Sequence, residues 1–526
     1  MPQELGPLLG QARVDSAYKI RVAAADRLKA IPNPPHPNNG DEDDPALKGF
    51  VANFSKGLPH DGLGEVVPAA YQALLKALGS GKPADFVTIP LGGDRNLVNP
   101  QAGLAFDLEG LDPHQFEIPP APSFSSAEEA AEMVELYWMA LLRDCNFADY
   151  DSDPTVKKAA AELTSLKDFT GPKQGGKVTP GTLFRDELGG NGNQSSLRGP
   201  YISQFFYLHT PFGAETVDRR LRTRVRGRDF MTDFPTWLDV QKGKKPSDPD
   251  SNFQKTRVYI RNGRDLSEWV HIDVLFQAYF NACLILGTGP ENGGLGCPAN
   301  PTNPYSTKAY AKQDGFGTWG APFFKTILCE VATRALKAVW FQKWYVHRRL
   351  RPEAFGGRIH VHKTGQKSYP IHKQVLDSKA LAQVEKEHKS FLLPMAFPEG
   401  SPIHPAYGAG HATVAGACVT LLKALFDESH VIPNPRIPTA NGTATVNLSP
   451  DPKLTVGGEL NKLASNVATG RNHAGVHWRT DATASLRLGE KVAIELLRDT
   501  LTVFNEDVPE VTFTGFDGKT VVVKRP

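Results

Sequence analysis

Cysteine is scarce in this chain. Five cysteines occur among 526 residues, an odd number that is scattered along the sequence without any Cys-x-x-Cys pair. This excludes both a disulfide-built scaffold and a cysteine zinc site. The default role of such cysteines is packing as small apolar side chains. The five positions are Cys145, Cys283, Cys297, Cys329 and Cys418.

An excess of charge of one sign is also lacking. The chain has 59 basic and 57 acidic residues, so its formal net charge is only +2. That balance argues against a protein built around nucleic acid or a membrane surface, and no RRM, zinc-finger or helix-turn-helix signature is visible. We therefore expect no nucleic-acid partner.

Long hydrophobic runs are missing as well. The most apolar segments, Ile272–Leu286 and Thr413–Phe426, are short and contain Asp273 and Lys423. They are typical of buried core helices, and no membrane span is predicted. The amino terminus has no basic start followed by an apolar core, so no secretory signal is visible and a cytoplasmic location is the expectation.

The dominant pattern that is present is helical. Apolar residues recur at spacings of three and four, which predicts a mainly α fold of helical bundles. Two β-rich runs flank Asp517-Gly518 near the end and predict a small hairpin. A boundary near residue 320 divides a loop-rich part, 1–320, from a helix-dense part, 321–526, which together should form one compact unit. Helices are predicted at about 16–30, 64–79, 125–145, 153–165, 266–286, 324–350, 377–390, 411–427, 457–470 and 480–501, and loops at 31–48, 170–200, 233–257 and 287–320.

The first motif that carries chemistry is "KWYVHRRLRPE". Lys343 and Arg351 lie about two helical turns apart, and the helix should end at the arginine because Pro352 follows. The two cations could converge on one anion, with the arginine bidentate and the lysine as a point charge. Taken alone, this spacing is weak evidence, because lysine and arginine on helices usually lie on a solvated face.

The second motif, "HPAYGAGHAT", places a glycine turn at the start of an apolar helix. Gly408 and Gly410 permit close backbone approach, and the first N–H groups of a helix can hold an anion. His411 at the helix start could give or take a proton there. The alternative is that His411 is a polar helix cap.

The third motif is "GRNHAGVHWRTDA". His477 and Asp481 lie four residues apart on one helix face, so the carboxylate can fix the tautomer of the imidazole. A histidine held in this way suits a metal ligand or a nucleophile. Arg471 adds a third cation. A purely structural His–Asp pair is the alternative.

The three motifs together are more specific than each alone. Three cations, a glycine turn with a histidine and a carboxylate-backed histidine make a site for a tetrahedral oxyanion. No cluster of His, Cys or carboxylates at ordinary metal-ligand spacing is visible in the sequence. The anion itself, or its central atom, must then be the reactive centre.

This motif set resembles the vanadium-dependent haloperoxidases, which share a core with type 2 phosphatidate phosphatases and bacterial acid phosphatases. The strings "FQKWYVHRRLRPEAFGG", "HPAYGAGHAT", "GELNKLASNVATGRNHAGVHWRTD" and "RGPYISQFFY" are similar to the bromoperoxidases of red algae and cyanobacteria. The similarity runs from about residue 15 to the terminal hairpin.

The resemblance implies a cofactor and its ligands. Vanadate would be the cofactor, with vanadium(V) bonded to one ring nitrogen of His477 and Asp481 holding the other ring nitrogen. The vanadate oxygens would be neutralised by residues that the motifs supply, namely Lys343, Arg351, Arg471 and the Gly410 N–H.

The resemblance also implies an activity. His411 would move protons, Lys343 would polarise hydrogen peroxide, and bromide or iodide would be oxidised to a hypohalous acid that halogenates small organic nucleophiles. His404 stands where chloroperoxidases of the family tend to have an aromatic residue, which suggests bromide and iodide over chloride; a supporting role without contact to halide is the alternative. Relatives of this kind form dimers or larger assemblies of dimers, so a homo-oligomer is expected.

Two departures from the family pattern are visible. The usual Pro-Ser-Gly-His is Gly408-Ala409-Gly410-His411 here, so Ala409 lacks a hydroxyl that would bond a vanadate oxygen. Such a bond to a charged acceptor is worth roughly 1.5–3 kcal/mol. In addition, seven residues separate Lys343 from Arg351, whereas the superfamily consensus has six.

Two other functions remain open from the sequence. A soluble phosphatase on the same scaffold would use His477 as the nucleophile and His411 as the acid for the leaving group. A non-catalytic protein with a vestigial anion site would show no turnover in the presence of vanadate.

Overall fold

The structure, a computed structural model, describes residues 8–110 and 112–525. The secretory-signal expectation rests partly on residues 1–7, which lie outside this range. Among the described residues, no helix is long and apolar enough to cross a membrane. The division at residue 320 stays a prediction.

Helices make up most of the regular structure, as the periodicity predicts. The first part contains α1 (Gly10–Ala30), α2 (Pro68–Ser80), α3 (Pro83–Phe86), α4 (Ala127–Leu141), α5 (Pro154–Ser165), α6 (Phe234–Gln241), α7 (Gly263–Trp269) and α8 (Gln277–Gly287). The second part contains α9 (Ala321–Phe341), α10 (Pro352–Lys363), α11 (Lys373–Leu376), α12 (Lys379–His388), α13 (Gly410–Leu425), α14 (Val456–His473) and α15 (Arg479–Val503).

The strands of the described region form three antiparallel pairs. They are β1 (Thr210–Phe212) with β2 (Glu215–Val217), β3 (Arg436–Pro438) with β4 (Thr445–Asn447), and β5 (Glu510–Thr514) with β6 (Thr520–Lys524). The last pair is the predicted terminal hairpin, and Val511 lies opposite Val523 in it. Gly518 in its turn has a φ of +79°, which glycine adopts without strain. The mainly α fold with a small hairpin is confirmed.

Helix α13 lies at the centre of the second part. All of its residues except His411 are buried, and it packs on α9, α14 and α15. Two glycines allow α13 and α15 to cross closely: a Cβ at Gly416 would lie 2.0 Å from the Leu486 carbonyl oxygen, and one at Gly489 would lie 2.0 Å from that of Thr413. Beside this crossing, the start of α13 reaches Ser485 in the second turn of α15, where the Ala409 N–H donates to Ser485 Oγ.

Three local predictions were wrong. The helix predicted at 266–286 is two helices, α7 and α8, separated by a turn. The loop predicted at 233–257 contains α6, whose Trp237 is buried against α10. The helix predicted at 324–350 ends as α9 at Phe341 and continues only as a π-helical turn, Gln342–His347.

Candidate active site

Lys343 lies in the π-helical turn that follows α9. Such a turn widens the helix and changes the direction of its side chains. The Lys343 Nζ is fully buried and donates to two backbone carbonyls, that of Pro405 at 2.9 Å and that of Ala406 at 3.0 Å. The ammonium group is thus fixed beside the loop that leads to α13.

Arg351 is the residue that immediately precedes α10, and Pro352 at the first helical position accounts for the helix start. Its Nε donates to the His404 carbonyl at 3.0 Å, and its Nη1 donates to the Val476 carbonyl at 2.7 Å. The same Nη1 lies 3.1 Å from His477 Nε2. The guanidinium therefore joins the second and third motifs.

Arg471 lies near the end of α14. Its Nη1 donates to the Val270 carbonyl at 2.7 Å, whereas its Nε is buried and has no protein partner among the described residues. A buried donor of this kind is costly unless a ligand satisfies it.

The three cations lack counter-charges. Among the described residues, no carboxylate oxygen lies within 4.0 Å of the charged nitrogens of Lys343, Arg351 or Arg471. Burial holds the pKa of Lys343 well below its usual value, and the nearby Arg351 lowers it further. Burial also lowers the pKa of Arg351 to about 9 and lowers that of Arg471. The site is therefore electrostatically prepared for an anion of multiple charge.

His477 and Asp481 form the predicted pair. The His477 Nδ1 donates to Asp481 Oδ2 at 2.7 Å, and the Trp478 backbone N–H donates to the same oxygen at 3.1 Å. Asp481 sits in the first turn of α15, where a carboxylate caps the helix start. Burial, followed by the charges of Arg351 and Lys343, holds the pKa of His477 well below its usual value. The imidazole is thus neutral, with its Nε2 lone pair facing Arg351 Nη1 at 3.1 Å.

His411 opens α13 and pairs with a residue that the sequence analysis did not select. Its Nε2 lies 3.0 Å from Asp273 Oδ1, across 138 positions of sequence. Asp273 lies in the turn between α7 and α8, and its side chain is only 5% exposed, against 20% for His411. The signal in the sequence is a carboxylate inside an apolar segment, but the apolar periodicity of that segment predicts an unbroken helix.

His404 and Trp340 line one side of the site. The ring centroids are 4.9 Å apart, and His404 Nδ1 lies 2.9 Å from Arg351 Nη2. Burial and the charge of Lys343 hold the pKa of His404 well below its usual value. Trp340, whose ring centroid lies 5.7 Å from Lys343 Nζ, carried no signal in the sequence beyond its aromatic character.

Ser485 of α15 contacts the glycine turn, Gly408–Gly410. The Ala409 N–H donates to Ser485 Oγ at 2.7 Å, and a Cβ at position 408 would lie 2.3 Å from that oxygen. A Cβ at Gly410 would lie 3.1 Å from the Trp340 ring. Within the described residues no protein acceptor bonds the Gly410 N–H. Seven of the eight residues that the motifs selected are buried, and His411 is partly exposed.

Two curated relatives decide the family. The chain is 37% identical to the vanadium-dependent bromoperoxidase of Corallina pilulifera, over 98% of this chain and 99% of the relative. It is 34% identical to that of Ascophyllum nodosum, over 94% of this chain and 90% of the relative. The chain belongs to the vanadium-dependent bromoperoxidases.

Further comparisons agree with membership of the vanadium-dependent bromoperoxidases. The solved homohexameric structure of the second vanadate-dependent bromoperoxidase of Ascophyllum nodosum superposes with a TM-score of 0.88 at 31% identity, covering 100% of this chain and 94% of that chain. A family model described as the VCPO second helical-bundle domain matches residues 328–506.

The residues fit the cofactor of vanadium-dependent bromoperoxidases. Vanadate is a tetrahedral oxyanion that brings its own oxygen ligands, so it needs few protein ligands but much positive charge. Among the described residues, that set of groups is supplied by the uncompensated cations, the unpaired Arg471 Nε and the unprotonated Nε2 of His477, which faces Arg351 Nη1 at 3.1 Å. Ala409 contributes no hydroxyl, as the sequence predicts.

Proposed function

We propose that this chain oxidises bromide and iodide with hydrogen peroxide in a vanadate-dependent reaction, and that the hypohalous acid equivalent halogenates small organic nucleophiles. The observation that carries the proposal is the buried cluster of three cations around the carboxylate-backed His477. Family membership at 34% to 37% identity over nearly the whole chain supports the same reaction.

Five residues would hold the cofactor. His477 would bind vanadium through Nε2, because its Nδ1 proton is committed to Asp481. The oxygens would be neutralised by the site's donors. These are Lys343, Arg351, Arg471 and the Gly410 N–H.

Bound vanadate would supply a Lewis-acidic vanadium(V) centre that activates hydrogen peroxide toward a halide. The overall reaction, H₂O₂ + Br⁻ + H⁺ → HOBr + H₂O, consumes a proton. His411 is the partly exposed histidine at the site, and Asp273 holds its Nε2 at 3.0 Å. We assign the movement of that proton to His411, with Asp273 as its orienting partner.

His404 supports bromide and iodide as the halides. Its imidazole lies between Arg351 and the Trp340 ring, so the position is polar rather than wholly aromatic. A halide that approaches Lys343 from this side would meet a neutral histidine. We propose that the halide contacts His404.

The assembly proposed is a homo-oligomer, a dimer or a higher assembly of dimers. The homohexameric relative covers the whole chain at a TM-score of 0.88. The cytoplasmic location stays a prediction from the sequence.

The decisive experiment measures bromination of a dye by the metal-free protein with peroxide and bromide, before and after addition of orthovanadate. We expect activity only after vanadate is added, and a loss of activity when phosphate competes. Lys343→Met should abolish most of the vanadate-dependent bromination activity. The matched control is Lys337→Met on α9, because Lys337 pairs with Asp107 away from the site.

The outcomes separate the functions that the sequence left open. No bromination, combined with phosphate-ester hydrolysis that vanadate inhibits, would assign the site to a phosphatase with His477 as nucleophile. No turnover of either kind with bound vanadate would leave a vestigial anion site.

A further inference from the structure

Helix α4 carries a buried stripe of carboxylates that the proposed reaction does not use. Glu129, Glu132 and Glu135 recur every three residues, so they share one face of the helix, and all three are buried. Buried carboxylates need partners. Their partners come from the distant part of the chain that builds the vanadate site.

Arg349 and Arg479 satisfy this stripe. Arg479 Nε donates to Glu135 Oε2 at 2.8 Å. Arg349 Nη2 contacts a carboxylate oxygen of Glu129 and lies 3.2 Å from Glu132 Oε2. Arg349 thus ties α4 to the loop between α9 and α10.

The other end of the Arg349 guanidinium reaches the site. Its Nη1 donates to Asp481 Oδ1 at 2.8 Å and to Thr480 Oγ1 at 2.7 Å. The second oxygen of Asp481 accepts from His477 Nδ1 at 2.7 Å. The Asp481 carboxylate is therefore fixed between an arginine and the histidine, with one oxygen for each.

Arg349 has little freedom to leave this position. Its guanidinium carbon lies 4.8 Å from the Trp478 ring centroid and 5.7 Å from that of Tyr407. Burial raises the pKa of Glu129, whereas the carboxylates around Arg349 raise the pKa of the guanidinium. Arg349 therefore stays charged, and both of its terminal nitrogens are held by hydrogen bonds while two aromatic rings lie within 6 Å of its guanidinium carbon.

We propose that Arg349, anchored by Glu129 and Glu132 on α4, is the positioning residue of the Asp481–His477 pair and thereby sets the affinity for vanadate. Arg349 fixes the plane of the Asp481 carboxylate. The carboxylate in turn fixes the imidazole tautomer in which His477 Nε2 carries no proton. Arg349 touches neither the anion nor the halide position. This inference rests on the proposed function only for the identity of the anion.

The test compares two neighbouring arginines. Arg349→Gln and Arg349→Lys are measured against Arg348→Gln, a matched control on the same loop. The Arg348 side chain makes an equivalent paired contact with Glu42, at 2.8 and 2.5 Å, and its only other hydrogen bond among the described residues goes to the Trp344 carbonyl, outside the site. The readouts are the Kd of the metal-free protein for orthovanadate by calorimetry, the thermal midpoint, and kcat and KM for bromide.

We expect Arg349→Gln to weaken vanadate binding roughly 10-fold or more, since partners that orient a metal ligand contribute at least this factor. Arg349→Lys should recover part of the loss. The KM for bromide at saturating vanadate should stay within about twofold of wild type. Arg348→Gln should lower the thermal midpoint while leaving the vanadate Kd within about twofold.

Unchanged vanadate affinity in a folded Arg349→Gln protein would overturn the inference, as would an equal loss in Arg348→Gln. Because the single variant leaves carboxylates without a cation, Glu129→Gln with Arg349→Gln provides a second, charge-reduced background. If wild type itself binds no vanadate, the proposed function fails first, and phosphate binding then tests the positioning role alone.

Discussion

At the scale of single residues, Ala409 offers the most direct change to the anion site. It precedes Gly410 in the turn that opens α13, where the resembled family has a serine. Ala409→Ser should tighten vanadate binding about 10-fold or more, because a hydroxyl hydrogen bond to a charged acceptor is worth roughly 1.5–3 kcal/mol. Calorimetric titration of the metal-free protein with orthovanadate measures this change.

The control for this prediction is Ala415→Ser, which adds the same hydroxyl nearly two turns further along the chain, at a fully buried position in α13. It should lower stability without altering the vanadate Kd. Equal affinities for wild type and Ala409→Ser would show that water or another donor already fills the position of the missing hydroxyl.

Gly408 and Ser485 should behave as a coupled pair. A Cβ at position 408 would lie 2.3 Å from Ser485 Oγ, whereas the next atoms it would meet are at 3.3 and 3.4 Å. Gly408→Ala should therefore lower the thermal midpoint and weaken vanadate binding, and Ser485→Ala should relieve the clash. A double-mutant cycle on unfolding free energy measures the coupling, which should exceed about 0.5 kcal/mol for residues in contact. Strict additivity would contradict this account.

The residues found from the sequence are those whose motifs are local. Arg471, His477 and Asp481 lie within one short stretch, so spacing alone placed them together. Asp273 and Trp340 could not be found in this way, because they reach the site through tertiary packing. Their partners, His411 and His404, are distant in sequence, and no periodicity encodes such a pairing.

At the scale of secondary-structure elements, the long periodic helices were predictable and the interruptions were not. Apolar periodicity continues through residues 266–286, but the chain turns between α7 and α8, and Asp273 in that turn lies 3.0 Å from His411 Nε2. The dipeptide Arg351-Pro352 predicts the end of one helix, and in the structure it also begins the next helix, α10. Helix α4 was predicted as a helix, yet its three buried glutamates were not recognised as partners of Arg349 and Arg479.

The carboxylate stripe of α4 predicts a pH effect on stability. Burial raises the pKa of Glu132 from 4.5 to about 7, with Asp481 and Glu128 adding to the rise and Arg349 and Thr480 opposing it. Between pH 4.5 and about 7, Glu132 binds a proton more tightly in the folded state than in the unfolded state. Its contribution to the free energy of unfolding is therefore fully present below pH 4.5 and is lost as the pH rises through about 7.

The measurement follows directly. The unfolding free energy of wild type, by denaturant titration, should fall relative to that of Glu132→Gln as the pH rises through this window. Glu215→Gln is the control, because the Glu215 side chain is exposed and lies outside α4. Parallel pH curves for wild type and Glu132→Gln would contradict the prediction.

At the scale of the whole molecule, α1 stands apart from the rest of the protein. In the described part of the chain none of its 21 residues is buried, although Val14, Tyr18 and Val22 align on one face at intervals of four. Their exposed fractions are 58%, 61% and 38%. A helix of this length gains its stability mainly from packing, so a second copy of the chain is the expected partner.

Changing Val14, Tyr18 and Val22 to glutamate should therefore reduce the mass of the assembly in light-scattering chromatography. Arg13→Glu with Arg27→Gln makes the same change of charge on the opposite face of α1 and should leave the mass unchanged. An assembly that withstands the first set of changes would place the subunit contact elsewhere.

The uncompensated cations of the site have a consequence for how the chain completes its folding. Lys343, Arg351 and Arg471 cannot be gathered in a dry interior without a free-energy cost, which a bound anion offsets in proportion to its concentration. A newly synthesised chain should therefore close around whichever tetrahedral oxyanion its surroundings offer, most often inorganic phosphate. Binding of the cofactor is then a ligand exchange, in which vanadate replaces the anion that stabilised the site during folding.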